Sequence, residues 1–259
     1  MGWGDDIMVT GQVRVMQQTD PRKVRVLYER ADRWSPAYEN NPRIARPGQV
    51  GDFQILRPRV DFLRPYAVAK SDRAWTWRAY RPAIGELYFS PDEQSLAARH
   101  VGTVIVEPHV KVGASPNKQW GWVRWNKLAW LLGKRGIRLT QVGPSGTAIL
   151  EGVSWIPTET PREAAAVLSV ARAAVLPEGG LHHTAAVFGT PAVVIYGGFI
   201  SPAVTGYAGQ HSFFTGGDVY PLGCGQRMAC AHCKSAMEAI KPEAVADAVV
   251  QQLAGAVAA

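Results

Sequence analysis

Between Val104 and Tyr196, short apolar runs alternate with segments of helical composition. Val104-Ile105-Val106 is the first run, a loop from Lys111 to Gly121 follows, and Trp122, Trp125, Leu128, Leu131 and Leu132 then fall at helical spacing. Residues 136 to 143 read as a second strand, and residues 161 to 172 as an alanine-rich helix with Thr160 at its N-cap. A third apolar run, Ala174-Val175-Leu176, leads into Pro177-Glu178-Gly179-Gly180. Leu181 to Phe188 has helical composition and is stopped by Gly189 and Pro191; Ala192 to Tyr196 is apolar and β-branched, as a parallel strand buried on both faces requires. Strand and helix alternating in this way predict an α/β fold with a doubly wound parallel sheet.

The earlier part of the chain is less regular. Ile7, Val13, Val15 and Met16 predict a helix ending before Asp20-Pro21, and Val24 to Tyr28 predict a strand. Residues 32 to 52, with Asn40-Asn41 and Pro47-Gly48, predict loop. Leu87-Tyr88-Phe89 predicts a short strand, and Ser90-Pro91 starts a helix running through Ala98. Gly2 and Gly4 before a helix resemble the first corner of a Rossmann-like lobe, but the strand that normally precedes that corner is missing. A boundary near Val101 divides the chain into residues 1–100 and 101–259.

The chemistry concentrates at Pro177 to Gly180. Two glycines before a helix allow a sharp turn and a close approach of backbone to ligand, and the helix N-terminus presents free N–H groups and positive potential to an anion. The wider stretch, Glu178-Gly179-Gly180-Leu181-His182-His183-Thr184-Ala185-Ala186 with Gly189-Thr190-Pro191, resembles the signature of the heptosyltransferase-like glycosyltransferases of family 9. Glu178 stands where Asp is usual, and Gly179 replaces a hydroxyl residue. Asn117-Lys118-Gln119-Trp120-Gly121 resembles a second family motif, Lys-x-Trp-Pro, with Gly121 in place of Pro.

The resemblance implies a GT-B architecture of two Rossmann-like lobes, an N-terminal acceptor lobe and a C-terminal donor lobe, acting on a nucleotide-diphosphate sugar with inversion. It places the donor diphosphate on Lys118, Glu178, Gly179, Gly180, Leu181 and His183. It makes Asp5, matching the Asp of an N-terminal Gly-Asp pair, the catalytic base, with Asp6 as the neighbouring rival and helix capping as the structural use of either. No cofactor is required, since a lysine and a helix N-terminus stabilise a departing diphosphate without a metal. The family's acidic ribose ligand, expected after the strand ending at Gly143, has no counterpart beyond Gly146-Thr147.

Charge adds a candidate partner. The 259 residues carry a net +7, and residues 43 to 82 hold Arg43, Arg46, Arg57, Arg59, Arg64, Lys70, Arg73, Arg78 and Arg81 against Asp52, Asp61 and Asp72. Phe53, Phe62, Tyr66, Trp75, Trp77 and Tyr80 are interleaved with them. Such a segment is either a solvated surface with core aromatics or the binding face for an anionic acceptor, such as a phosphorylated glycolipid or a nucleic acid. A hydroxylated base in DNA is one acceptor of that kind. A non-catalytic nucleotide- or nucleic-acid-binding protein that keeps the fold is the alternative to an enzyme.

All three cysteines, Cys224, Cys230 and Cys233, fall within ten residues and include His232 between the last two. An odd count this close together predicts reduced thiols, in agreement with a cytoplasmic location, or a structural metal site lacking an evident fourth ligand beyond His232 or the distant His211. No apolar run approaches the length of a membrane span.

Overall fold

In a computed structural model of the chain, residues 2–28, 31–57 and 64–255 are described. Helix α1 (Trp3–Met16) opens the chain, about one turn of sequence earlier than its apolar pattern begins at Ile7. The early start follows from capping: Asp5, at the third helical position, accepts a hydrogen bond from the Gly2 amide at 2.9 Å, and Asp5 and Asp6 place negative charge at the positive end of the helix. Strands β1 (Val24–Tyr28), β2 (Ala31–Asp32) and β3 (Gln54–Leu56) form a sheet in the order β2-β1-β3. The β1–β3 pair is parallel, and β2 closes one edge antiparallel to β1. Residues 36–38, inside the expected loop, form one 3₁₀ turn capped by Ser35.

Strands β4 (Ala67–Lys70) and β5 (Trp75–Trp77) make a separate antiparallel hairpin within the basic aromatic stretch. Arg59, Asp61 and Phe62 of that stretch lie outside the described residues. The strand expected at Leu87-Tyr88-Phe89 is not formed. Its backbone groups are taken by side chains instead: the Glu86 amide donates to Thr10 Oγ1 and the Tyr88 carbonyl accepts from Arg162. Leu87 is buried and Phe89 stacks on Phe188 with ring centroids 5.2 Å apart, so the segment serves packing rather than pairing. Helix α2 (Pro91–Ala98) then starts as expected, with the Ser90 hydroxyl and the Glu93 carboxylate closing a capping box.

The remaining elements are β6 (Val104–Val106), α3 (Trp122–Lys134), β7 (Leu139–Gly143), β8 (Ser154–Pro157), α4 (Pro161–Ser169) and β9 (Ala173–Pro177). They continue through α5 (Gly180–Phe188), β10 (Ala192–Gly197), α6 (Pro202–Thr205), β11 (His211–Phe214), α7 (Ala231–Ala239) and α8 (Pro242–Gly255). Their six strands form one parallel sheet in the order β11-β10-β9-β6-β7-β8. The two edge strands, β8 and β11, carry no fully apolar run and were not expected from the pattern. Helices α7 and α8 are separate, because Ile240 leaves helical geometry (ψ 107°) ahead of Lys241-Pro242, where a following proline disfavours the helical conformation.

Side-chain alternation divides the core between the two faces of this sheet. Val104, Val106, Val193 and Ile195 pack with Trp125, Leu128 and Leu132 of α3 and with Val245 and Val249 of α8. Ile105, Val142, Val194 and Tyr196 face the other way, onto Val167 and Leu168 of α4 and Ala185 of α5. That second face also takes Met8 of α1 and Tyr66, Ala67 and Trp77 of the hairpin region, so the N-terminal part of the chain packs where α4 and α5 lie. Burying each large side chain of this kind contributes on the order of 1.5–3 kcal/mol.

Candidate active site

A cavity of about 390 Å³ lies at the carboxyl ends of β6 and β9, walled by the N-terminal ends of α1 and α5, the loop after β6, and the β4–β5 hairpin. Asp5, Lys118, Glu178, Gly179, Gly180, Leu181 and His183 all line it. The donor motif and the N-terminal Gly-Asp pair, more than 170 residues apart in sequence, therefore meet in one space.

Close contact between the two helix ends makes this possible. A Cβ on Gly180 would sit 2.5 Å from Trp3 Cδ1, and a Cβ on Gly4 would sit 2.3 Å from His183 Cδ2. Both glycines are present because each helix terminus occupies the space of the other's side chain. The chain bends at Glu178-Gly179 as expected, but the bend does not require glycine at 179: its φ is 169°, extended backbone, and a Cβ there would meet only the Pro177 carbonyl oxygen at 3.9 Å.

Asp5 and Asp6 have different surroundings. Asp6 is buried in a network with Arg33 (2.8 Å), the Ser35 hydroxyl (2.8 Å) and Tyr38 (3.4 Å), and does not line the cavity. Asp5 lines it and accepts from three donors: Arg64, through Nε at 3.0 Å and Nη2 at 2.8 Å, the Tyr66 hydroxyl at 2.7 Å, and the Gly2 amide. Burial, and then the Asp5 charge, push the Tyr66 phenol well above its ordinary value, so it stays a donor. The guanidinium of Arg64 also lies over the Trp75 ring, 4.6 Å from its centroid.

Across the cavity, Lys118 forms an ion pair with Glu178 and lies over the Phe199 ring at 5.3 Å. Burial opposes ionisation of Glu178, but the charge and hydrogen bond of Lys118 outweigh it and hold the carboxyl below its usual range. Lys118 therefore arrives at the cavity already partnered. His182 accepts from the Gly179 amide through Nδ1 (3.0 Å) and donates from Nε2 to the Thr205 carbonyl (3.0 Å), which fixes one neutral tautomer. His183 bonds the Tyr207 hydroxyl through Nδ1 at 2.8 Å; burial, then His182 and Lys118, lower its pKa well below the ordinary range. Glu178, His182 and His183 lie close enough to suggest a metal, but both ring nitrogens of His182 are already taken by hydrogen bonds to the backbone.

Several lining residues escape a reading of the sequence. Glu107 and His109 follow β6 directly, with Glu107 Oε1 accepting from the His109 amide and facing its Nδ1, both at 2.7 Å. Their position just past a buried strand was the available signal. Arg64, Tyr66, Trp75 and Trp77 belong to the basic aromatic stretch but carry no motif, and Arg227 comes from the cysteine region. Elsewhere in that stretch Arg43 pairs with Glu86 and Arg46 with Glu39, so part of its charge is neutralised within the chain.

The cysteine cluster does have a fourth partner. Cys224, Cys230, Cys233 and His232 place one ligand atom each within 4.8 Å of all the others, and the distant His211 is not needed. Cys224 Sγ is 3.9 Å from Cys230 Sγ, and Cys233 Sγ is 3.8 Å from His232 Nδ1, against an edge of about 3.8 Å for a tetrahedron with metal–sulfur bonds near 2.3 Å. Cys224 and Cys233 approach to 3.1 Å as free thiols. The hydrogen bond between them favours the thiolate on Cys224 and holds the proton on Cys233. His232 Nε2 donates to the Gly216 carbonyl at 3.1 Å, leaving the Nδ1 lone pair turned to the sulfurs. The amides of Gln226 and Cys233 donate to Cys224 Sγ and Cys230 Sγ. The donor set fits a tetrahedral thiophilic metal.

No protein-family model and no curated protein sequence matches the chain. Solved structures do. The crystal structure of the glycosyl transferase family 9 from Veillonella parvula aligns over 98% of this chain and 95% of its own, with a TM-score of 0.67 and 14% identity. The iron-containing dodecameric glycosyltransferase TibC from enterotoxigenic E. coli aligns over 99% of this chain and 74% of its own, with a TM-score of 0.62 and 15% identity. The chain has a GT-B glycosyltransferase fold. Against E. coli ADP-heptose lps heptosyltransferase II the alignment spans 68% of this chain and 56% of that one, at 19% identity and a TM-score of 0.48. No described helix is long and apolar enough to cross a membrane.

Proposed function

We propose that the protein is a glycosyltransferase that moves a hexose or heptose from a nucleotide-diphosphate sugar to an acceptor hydroxyl with inversion. One observation carries this reading: a carboxylate, Asp5, faces the same cavity as Lys118 and the N-terminus of α5, which carries no acidic residue in its first turn. In the reaction, Asp5 takes the proton of the acceptor hydroxyl while that oxygen bonds to the anomeric carbon. The bond from that carbon to the diphosphate breaks on the opposite face, and the nucleoside diphosphate leaves with the electron pair. Lys118, His183 and the α5 amides receive the charge that develops on it, so no catalytic metal is needed for departure. Glu178 holds Lys118 in place.

The acceptor is anionic, a phosphorylated glycolipid or a nucleic acid including a hydroxylated base in DNA, and Arg64, Arg227 and Trp75 are the groups that would meet it. Cys224, Cys230, Cys233 and His232 hold a structural zinc or iron ion, a reading supported by the donor geometry and by TibC being described as iron-containing. Free thiols suit a cytoplasmic location. The second reading, a binding protein that has kept the fold, is favoured by the three donors on Asp5, which already occupy the carboxylate oxygens that an acceptor hydroxyl would have to reach.

Incubating the protein with a panel of nucleotide sugars and candidate acceptors, and measuring nucleoside diphosphate release and sugar transfer, separates the two. Transfer that is lost in Asp5→Asn supports the enzyme. Nucleotide binding without transfer to any acceptor favours the binding protein.

A further inference from the structure

A buried side chain beside Lys118 ties the cysteine cluster to the cavity wall. Asn117, 5% exposed, immediately precedes Lys118 in the 3₁₀ turn Pro116–Lys118. Its side chain uses both amide hydrogens and its oxygen on the backbone of the loop between Cys224 and Cys230: Nδ2 donates to the carbonyls of Gln226 and Met228, each at 2.7 Å, and Oδ1 accepts from the Cys230 amide at 3.1 Å. The Ser115 hydroxyl adds a bond to the Gln226 carbonyl at 3.0 Å. The same loop is held on its other side by the hairpin. The Trp75 amide donates to the Gly225 carbonyl at 2.9 Å, and the Arg227 amide to the Arg73 carbonyl at 2.8 Å. Gly225 has φ +64°, and a Cβ there would lie 1.8 Å from the Trp75 carbonyl oxygen.

We propose that Asn117 is a positioning residue that couples the order of the Cys224–Cys233 loop to the placement of Lys118, so that metal loading and nucleotide binding strengthen each other. The inference rests on the donor role of Lys118 and on the cluster holding a metal. Its physical basis is geometric. An asparagine whose three polar sites all bond to one loop has no freedom left once that loop is rigid, and Lys118 is its direct chain neighbour. Four ligands converging on one ion fix residues 224 to 233; without that restraint, the sulfurs and imidazole are joined only by weak S–H contacts, and the loop can shift away from Asn117. Because linkage is reciprocal, nucleotide bound at Lys118 raises metal affinity by the same factor that metal raises nucleotide affinity.

The test compares metal-loaded and chelator-stripped protein, using ADP and UDP as probes for affinity and amide hydrogen exchange as a readout independent of nucleotide. Stripping the wild type is expected to speed exchange in residues 115–120 as well as 224–230, and to weaken nucleotide binding about fivefold or more, the usual scale of coupling between sites. Metal-loaded Asn117→Ala should show both changes while still holding metal, and Ser115→Ala, which removes one bond, should fall between. In Lys118→Ala, stripping should no longer change nucleotide affinity. A wild type whose exchange at 115–120 and nucleotide affinity are unmoved by stripping overturns the proposal, as does an Asn117→Ala protein identical to wild type. Protein that takes up neither zinc nor iron on reconstitution also overturns it, while leaving the donor site standing. If neither nucleotide binds, the donor role of Lys118 falls, and the exchange arm alone decides whether Asn117 links the loop to residues 115–120.

Discussion

The two helix N-termini that meet at the cavity are closed by groups of different charge. α1 carries its own anion: Asp5 sits in its first turn, caps the Gly2 amide and is held by Arg64 and Tyr66. α5 is closed in the same way but by a neutral group, His182, whose Nδ1 accepts from the Gly179 amide, and the nearby carboxylate, Glu178, is matched by Lys118 rather than by the helix. A helix end that carries its own carboxylate attracts a second anion less than one closed by a neutral imidazole. The contrast predicts that α1 supplies a chemical group and α5 supplies a binding site.

Removing the group from α1 is the sharpest way to break this comparison. Asp5→Asn should lower glycosyl transfer by about a hundredfold or more while nucleotide affinity stays near wild type, the pattern for loss of a general base. Parallel turnover and binding measurements check it, and equal transfer rates would remove Asp5 from the chemistry. Next in size is the contact between the helices. Gly180→Ala places a methyl 2.5 Å from Trp3 Cδ1, so stability should fall by about 1–3 kcal/mol in denaturant titration, the cost of overpacking.

On the α5 side, Lys118→Ala leaves Glu178, only 6% exposed, as an unmatched negative charge beside the diphosphate position. Nucleotide affinity should drop by about tenfold or more, and adding Glu178→Gln should recover part of it, because the penalty comes from the stranded charge as well as the lost cation. Calorimetric titration of the single and double variants reads this directly, and a double variant weaker than Lys118→Ala would count against it.

Acid should weaken the same wall. His183 is neutral in the fold, with its pKa well below the ordinary value near 6.5, so below that pH the unfolded chain binds a proton that the native state refuses. Stability is thus fully present above about pH 6.5 and declines as pH falls through it. Glu178, whose folded pKa is depressed, adds a second loss that begins only below its ordinary value near 4.5. Melting temperatures from pH 8 to 4 should show a decline starting near 6.5, shallower in His183→Asn. The smallest effect expected is a gain: Gly179→Ser meets open space and supplies a hydroxyl at the N-cap, so nucleotide affinity should rise a few-fold with no loss of melting temperature. A lower melting temperature would show that Gly179 is required after all.

The amino-acid sequence by itself determined the elements whose physics is local. Ser90 and Thr160 cap α2 and α4 as expected, because a hydroxyl three residues before a glutamate closes its own hydrogen bonds. The apolar runs at Val104 and Ala192 became central strands, because residues buried on both faces leave an unbroken hydrophobic trace. The residues proposed to bind the donor were picked out for a related reason: Lys118 and Glu178 to His183 sit on continuous motifs beside those strands, and Lys118, Glu178 and His183 line the cavity. Tertiary structure decided everything that depends on separated segments touching. It gave Leu87 to Phe89 to packing instead of a strand, chose Asp5 over Asp6 by tying Asp6 to Arg33 and Ser35, and set Gly180 rather than Gly179 as the sterically required glycine. It also turned three cysteines and a histidine into one four-ligand cluster joined to Lys118 through Asn117. None of these leaves a periodicity or a spacing in the chain, because the partner in each case is supplied by a distant segment whose position only the packed fold defines.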